Sequence, residues 1–195
     1  LMMPLVAAYK AACPEVVMEM TLSQRNPDPL DEGHDVVLTV GRGLPDSQLI
    51  AIPLGSIYSI LCASPDYLAR HGVPQRPQDL HEHVCLRMGD PLFEEDWAFE
   101  QTPDNYVILP QDTFLTNVAD AMLQATELGM GIGLIPYYSA SKSIEEGRLC
   151  RVLAPHRLRQ REIYAIYPSR HYLDAKVRTW LDLLKEQLQV MFNAN

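Results

Sequence analysis

The sequence predicts an α/β protein built as two lobes. Apolar strand-like runs alternate with amphipathic helical stretches along most of the chain, which implies a mainly parallel sheet covered by helices on both faces. The two ends are plain strand and helix material, whereas the middle is rich in short strands and prolines, as if a central lobe were inserted between the halves of an outer one. With 195 residues and a hydrophobic fraction of 47%, the chain has enough apolar material to fill such cores.

Residues Met2 to Ala12 carry apolar side chains at helical spacing, and Pro14 stops that helix just after Cys13. "VVMEMTL" (Val16 to Leu22) and "DVVLTV" (Asp35 to Val40) are β-rich runs. "LIAIPLGSIYSILCA" reads as extended, with Pro53 and Gly55 permitting a bend or an edge position. Ser64 is then an N-cap, Pro65 the first helical residue, and Gly72 the stop after His71. Asp79 and Leu80 begin another turn, and "HVCLRM" and "WAFE" follow as short strands around the acidic turn "GDPLFEED".

A second strand and helix unit comprises "YVIL", "TFLTN" and a helix from Val118 to Leu128, with Val118, Ala121, Met122, Ala125 and Leu128 on one face and Gly129 as its cap. "IGLIP" is a short buried strand stopped by Pro136. A helix runs on toward Glu146, Gly147 releases the chain into "RLCRVL", and "EIYAIYP" is a strand. The last helix, about Leu173 to Met191, carries Val177, Trp180, Leu181, Leu184 and Leu188 as its core stripe.

Composition removes several classes of function from consideration. The longest apolar runs, Ile50 to Leu54 and Ile132 to Pro136, fall far short of the roughly 18 to 20 residues that cross a bilayer, so no membrane partner is expected. The opening "LMMPLVAAYKAACPE" has no basic flank or small-residue cleavage pattern, so a signal peptide is not expected. Cys13, Cys62, Cys85 and Cys150 are scattered singly, which predicts four buried, reduced packing thiols and a cytoplasmic location. A net charge of −9 repels a phosphate backbone, and the one basic run, "RLRQR" (Arg157 to Arg161), lacks interleaved aromatics.

The chemical motifs mostly resolve into structure. "GMGIG" (Gly129 to Gly133) follows a helix and precedes a strand, the reverse of a dinucleotide fingerprint, so a helix cap and tight turn are expected. "HEHVC" places His81, His83 and Cys85 at period-two spacing, but no fourth ligand has a partner spacing, and ordinary packing at a strand start is favoured over a metal. There is no G-x-S-x-G elbow and no cysteine with a local activating signature. Glu94, Glu95 and Asp96 are adjacent in a turn rather than facing across a site, so no enzyme and no cofactor are expected. What remains is binding: "TVGR" ends a strand with Arg42, and "FLTN" ends another with Thr116 and Asn117 at a helix start. Strand carboxyl ends and helix N-termini are where open α/β sheets hold small, often anionic, ligands. A surface ion pair for Arg42 and a helix cap for Asn117 are the alternatives.

Taken in order, "LPDSQLIAIPLG", "LCASPDYLARHGVPQRPQDLHEHVCL", "NVADAMLQATELGMGIGLIP", "EEGRLCRVL" and "YPSRHYLDAKVRTWLDLL" resemble the effector-binding domain of LysR-type transcriptional regulators over nearly the whole chain. The resemblance implies a two-lobed, periplasmic-binding-protein-like (type II) α/β fold with mixed, mainly parallel sheets and two crossover segments. Lobe I is then residues 1–58 and 165–195 and lobe II residues 59–164. It further implies that the winged helix-turn-helix, the linker helix and the first strand of the effector domain are absent from this chain.

On the same ground a small-molecule effector is expected in the interlobe cleft, at positions that fall here at Ser23, Gln24, Gly41, Arg42, Thr116, Asn117 and Ile132. Homodimers or homotetramers are expected, the first helix of one subunit near the helix after Asn117 of the other, with DNA bound only through the absent N-terminal domain. The rival readings are an extracytoplasmic solute-binding protein of a transport system and an enzyme whose lobes close over a substrate.

Overall fold

The computed structural model describes residues 2–23, 33–41, 49–89, 97–99, 107–108, 113–168 and 174–193, without the side chains of 107–108 and 189–193. The chain divides into two compact units, one formed by Leu1–Ile57 with Arg161–Asn195 and the other by Tyr58–Gln160.

The first unit is a three-stranded sheet with two helices. Strand β1 (Val37–Gly41) and β2 (Leu49–Ile57) flank β10 (Arg161–Pro168), and both pairings are antiparallel. The β2–β10 ladder slips once: Ile163 faces Gly55 and Tyr164 faces Pro53, so Leu54 is the extra residue of a bulge. Gly55 takes φ 147°, a conformation side chains disfavour, and Leu54 turns inward to 1% exposure. The bend expected at Pro53 and Gly55 is this bulge, and β2 is an edge strand of the described sheet, where a proline's missing N–H is tolerated.

Helices α1 (Met2–Ala12) and α5 (Ala175–Asn193) join the core of this unit. Leu5, Leu181, Leu184 and Leu188 cluster with Leu54, Ile57, Ile163, Ala165 and Tyr167. Tyr9 ties the helices together. Its hydroxyl donates to Lys176 O at 2.7 Å and its ring meets Trp180 edge-on, centroids 5.1 Å apart. Lys10 closes the end of α1 by donating from Nζ to Pro14 O (2.9 Å) and to Val16 O. The strand expected at Val16 to Leu22 is not formed: no described strand pairs with it, and Val17 and Leu22 are 93% and 84% exposed. β-propensity expresses burial against neighbours, and this run has none among the described residues.

The second unit is a five-stranded sheet in the order β7-β4-β8-β3-β9, with a separate β5/β6 pair. Its strands are β3 (Ser59–Ala63), β4 (Cys85–Met88), β5 (Trp97–Ala98), β6 (Val107–Ile108), β7 (Leu115–Thr116), β8 (Ile132–Pro136) and β9 (Cys150–Val152). Helix α2 (Pro65–His71) begins as its sequence demands: Ser64 Oγ accepts from Tyr67 N at 3.2 Å, Pro65 opens the helix, and Gly72 ends it at φ 83°. A 3-10 helix (Pro77–Glu82), α3 (Ala119–Glu127) and α4 (Tyr137–Glu145) complete the unit. Period-two alternation along β3 sends Leu61 and Ala63 to one core, with Tyr67, Leu80, Trp97 and Phe99. It sends Ile60 and Cys62 to another, with Met122, Ala125 and Ala140.

The expectation of mainly parallel sheets needs correction. The sheets are mixed, but among the described residues only β4–β7 and β4–β8 are parallel, and the other five pairings are antiparallel. Strand–helix alternation leaves strands parallel where a helix returns the chain, as α3 does between β7 and β8, which lie on either side of β4. Strands β3 and β10 instead run against both of their neighbours. "HVCLRM" and "WAFE" likewise form no common ladder, since β4 pairs with β7 and β8 while β5 pairs with β6.

Candidate functional site

The parallel part of the second unit brings two strand ends together beside a helix start. Met88 of β4 faces Thr116 of β7, and Gly89 N donates to Thr116 O at 2.8 Å. Thr116 is half-buried, and its Oγ1 accepts from Val118 N at 3.2 Å, satisfying one of the N–H groups that open α3. Val118 is the N-cap residue and gives no side-chain cap, so Asn117 does not cap the helix and its side chain is exposed. With one lone pair engaged by Val118 N, the Thr116 hydroxyl keeps its proton to donate, and the Asn117 amide adds two donors and an acceptor. Asp120 in the first turn of α3 offsets part of the positive end of the helix dipole.

Ile132 does not join this group. It starts β8 opposite Cys85, at the other end of β4 from Met88, and is 0% exposed among Leu61, Tyr67, Leu80 and Trp97. Apolar burial therefore gives its side chain a packing role. At the carboxyl end of β8 the structure adds a feature the sequence reading missed: Tyr58 and Tyr137 stack with centroids 5.0 Å apart at 19°. Tyr137 N donates to Tyr58 O at 3.0 Å, and Ser59 faces Pro136 in the ladder. The available signal was an aromatic residue directly after the proline that ends the strand. In the first unit, Ser23 is exposed and Gly41 closes β1 half-buried, facing Glu162 of β10. Gln24 and Arg42 lie outside the described residues.

The remaining reactive groups are structural or solitary. His81 lies in the 3-10 helix and His83 just after it, so "HEHVC" is not one strand face, and the described residues contain no cluster of three or more metal-ligating side chains. The prediction of four buried thiols holds for two. Cys62 and Cys85 are buried, and burial pushes each thiol up to about 12, whereas Cys13 is half-buried and Cys150 is exposed. Cys150 opens β9, the edge strand of the described sheet, with a strand on one side only.

The glycines of "GMGIG" serve packing. Gly129 follows α3 at φ 73°, a Cβ on Gly131 would stand 2.5 Å from Val84 O, and one on Gly133 would stand 2.2 Å from Thr126 Oγ1.

Two α/β units, one formed by both ends of the chain and the other by its middle, with small hydrogen-bonding groups at parallel strand ends, define a ligand-binding domain of the type II periplasmic-binding-protein-like class. The chain belongs to the LysR substrate binding domain family, whose model matches residues 1–189. It is 31% identical over 186 residues to the HTH-type transcriptional regulator YhjC of Escherichia coli (94% of this chain, 62% of that protein). It is 28% identical over 174 residues to an HTH-type transcriptional regulator of Haemophilus influenzae (89% and 60%).

Among solved structures, the regulatory domain of CrgA, a LysR-type regulator of Neisseria meningitidis, superposes with a TM-score of 0.83 at 26% identity (96% of this chain, 92% of that one). Full-length AphB, a virulence activator of Vibrio cholerae, gives 0.81 at 29% identity (96% and 63%). The chain spans about 60% of the length of the curated relatives it matches. The matched family is one of transcriptional regulators rather than of enzymes, and the transport reading is not favoured.

Proposed function

We propose that this chain senses a small-molecule effector for a longer, cytoplasmic, DNA-binding parent protein, which it regulates by switching between effector-bound and free states. The family match over residues 1–189 carries the reading, and the donors gathered at Thr116 and Asn117 give it a chemistry. These two residues would bind a polar or anionic group of the effector. From the first unit, Ser23, Gln24, Gly41 and Arg42 are proposed as further contacts, with the Arg42 guanidinium pairing bidentately with a carboxylate. DNA contact belongs in this proposal to the parent protein's helix-turn-helix, in keeping with the net charge of −9 carried here. No helix among the described residues is long and apolar enough to cross a membrane.

A second copy of the chain is the proposed protein partner. The outward face of α1 presents Met3, Ala7, Ala8, Ala11 and Ala12, all exposed and all apolar, a surface suited to a helix of another subunit. Homodimers of this domain, and homotetramers of the parent, are the proposed assemblies.

A thermal-shift screen against small organic acids, amino acids and aromatic metabolites tests the sensing role. A ligand at about 100 times its dissociation constant adds about 2.7 kcal/mol, raising Tm by roughly 5 to 10 °C for a chain of this size. A ligand found in this way should bind at least tenfold more weakly to Thr116→Ala, Asn117→Ala and Arg42→Ala. Unchanged affinity in all three would reject the residue assignment, and a screen with no hit in any class would reject small-molecule sensing by this chain.

A further inference from the structure

His83, set aside as a metal ligand, and His71 flank one buried tyrosine. Tyr67 of α2 is 1% exposed, and its hydroxyl oxygen lies 2.9 Å from Val84 N and 3.2 Å from His83 Nδ1. The Val84 N–H can only donate, so the hydroxyl accepts from it and is left with its own proton to give. Val84 N and His83 Nδ1 are the hydroxyl's partners among the described residues, so its buried proton is satisfied only where Nδ1 accepts it, which requires a neutral ring carrying its proton on Nε2. His71, one turn along α2, stacks on the Tyr67 ring with centroids 4.5 Å apart at 24°, and the His83 ring sits 5.9 Å from it at 46°.

The backbone at Val84 makes this arrangement consequential. Its N–H is held by Tyr67, and its carbonyl accepts from Ile132 N at 2.8 Å, where β8 begins beside β4. Gly131 packs so closely on that carbonyl that no side chain fits. Val84 is thus the joint from which the parallel strands β4 and β8 start, and β4 runs from it to Met88, which faces Thr116 of β7.

We propose that His83 is a proton-operated latch at the foot of β4: neutral, it accepts the Tyr67 proton and fixes the hydroxyl on Val84, and protonated, it can no longer accept that proton, which weakens the hold on Val84 and loosens the amino ends of β4 and β8. A protonated Nδ1 aims a second donor at a hydroxyl that is itself donating. Either the tyrosine proton turns to a buried position without an acceptor or the imidazolium swings toward water.

The groups facing His83 set where this happens. Burial and the neighbouring His71 hold its pKa below the usual 6.5, against the pull of Glu82 and Asp79 from the 3-10 helix. Arg70 of α2 and the thiol of Cys85 on β4 are the further charged and titratable groups beside Tyr67 among the described residues. A lowered folded pKa means that the clamp is complete above pH 6.5 and is lost as the pH falls through the lower, folded value. The effector site therefore stands on strands whose anchorage depends on acidity, whatever the effector is.

Imidazole nitrogen–proton correlation spectra of the 195-residue chain from pH 8 to 4.5, with amide exchange at Val84 and Ile132, test the latch. His83 should carry its proton on Nε2 at neutral pH and titrate below 6.5. Protection of both amides, corrected for the intrinsic pH dependence of exchange, should fall roughly tenfold along the same curve, the loss of about one hydrogen bond. In His83→Gln that pH dependence should vanish. If the variant does not fold, the wild-type spectra decide alone. An Nδ1–H tautomer at pH 7.5, or amide protection that ignores the His83 titration, would overturn the proposal.

Discussion

Gly133→Ala should destabilise the second unit because of one oxygen atom, and removing that oxygen should restore most of the loss. Gly133 lies mid-strand in β8, facing Cys62 of β3 on one side and Leu86 of β4 on the other, so the backbone cannot retreat without disturbing two ladders. A Cβ there would stand 2.2 Å from Thr126 Oγ1 and 3.4 Å from both Met122 Sδ and Thr126 Cβ. Thr126 is fully buried and its hydroxyl donates to Met122 O at 2.8 Å, so it has no free space to rotate into. Overpacking of this kind costs about 1–3 kcal/mol, and a contact this short belongs at the upper end.

Thr126→Ala alone gives up a buried hydrogen bond but gains helix propensity, a net cost of about 1 kcal/mol. With Oγ1 gone, the remaining 3.4 Å contacts are ordinary, so the double variant should cost little more than Thr126→Ala. The coupling is then about 2 kcal/mol. Urea unfolding followed by the fluorescence of Trp97, buried in this unit, reads the cycle in a Trp180→Phe background. A harmless Gly133→Ala, or single costs that add to within about 0.5 kcal/mol, would refute the argument that Thr126 excludes a side chain at this position.

Two further outcomes are expected. In the native chain a thiol reagent should modify Cys150 quickly and Cys13 more slowly, while Cys62 and Cys85, buried and with thiols pushed up to about 12, should stay silent until denaturant exposes all four. Native reactivity of Cys62 or Cys85 would contradict the packing described. Glu127 takes a hydrogen bond from Ser143 Oγ (2.6 Å) and one from Arg148 Nε (2.9 Å), which together hold its carboxyl below the usual 4.5 against the effect of burial. A depressed folded pKa contributes stability above the unfolded value that is lost as pH falls through the folded one. Glu127→Gln should therefore be less stable than wild type at pH 7, with the gap closing below about pH 4.5. An equal gap at pH 3 and pH 7 would refute it.

Local rules with one solution were legible in the sequence. Ser64, Pro65 and Gly72 bracket α2 as capping chemistry requires, and the apolar stripe of Val177, Trp180, Leu181, Leu184 and Leu188 joins the core of the first unit. Where a segment's state depends on a neighbour, the sequence was ambiguous. Val16 to Leu22 has strand composition but no described partner, and the direction of β3 and β10 depends on which strands they meet rather than on their own residues. The thiols divide on the same ground: Cys62 on the central β3 is enclosed by strands on both sides, whereas Cys150 sits on the edge strand β9.

The candidate site was legible only as far as strand ends are. Thr116 and Asn117 follow from the general rule that ligands gather where parallel strands end, and the β4–β7 ladder supplies that geometry. Ile132 starts its strand instead of ending it: it faces Cys85 at the amino end of β4, whereas Thr116 faces Met88 at the carboxyl end, and that difference separates a core side chain from a site. The roles of His83 and Tyr67 depend on the same kind of information. They stand 16 residues apart, and nothing in their spacing shows that one ring nitrogen accepts the hydroxyl proton of the other. The chemistry comes from the Tyr67 hydroxyl being held between Val84 N–H and His83 Nδ1, an arrangement that only the folded turn between the 3-10 helix and β4 creates.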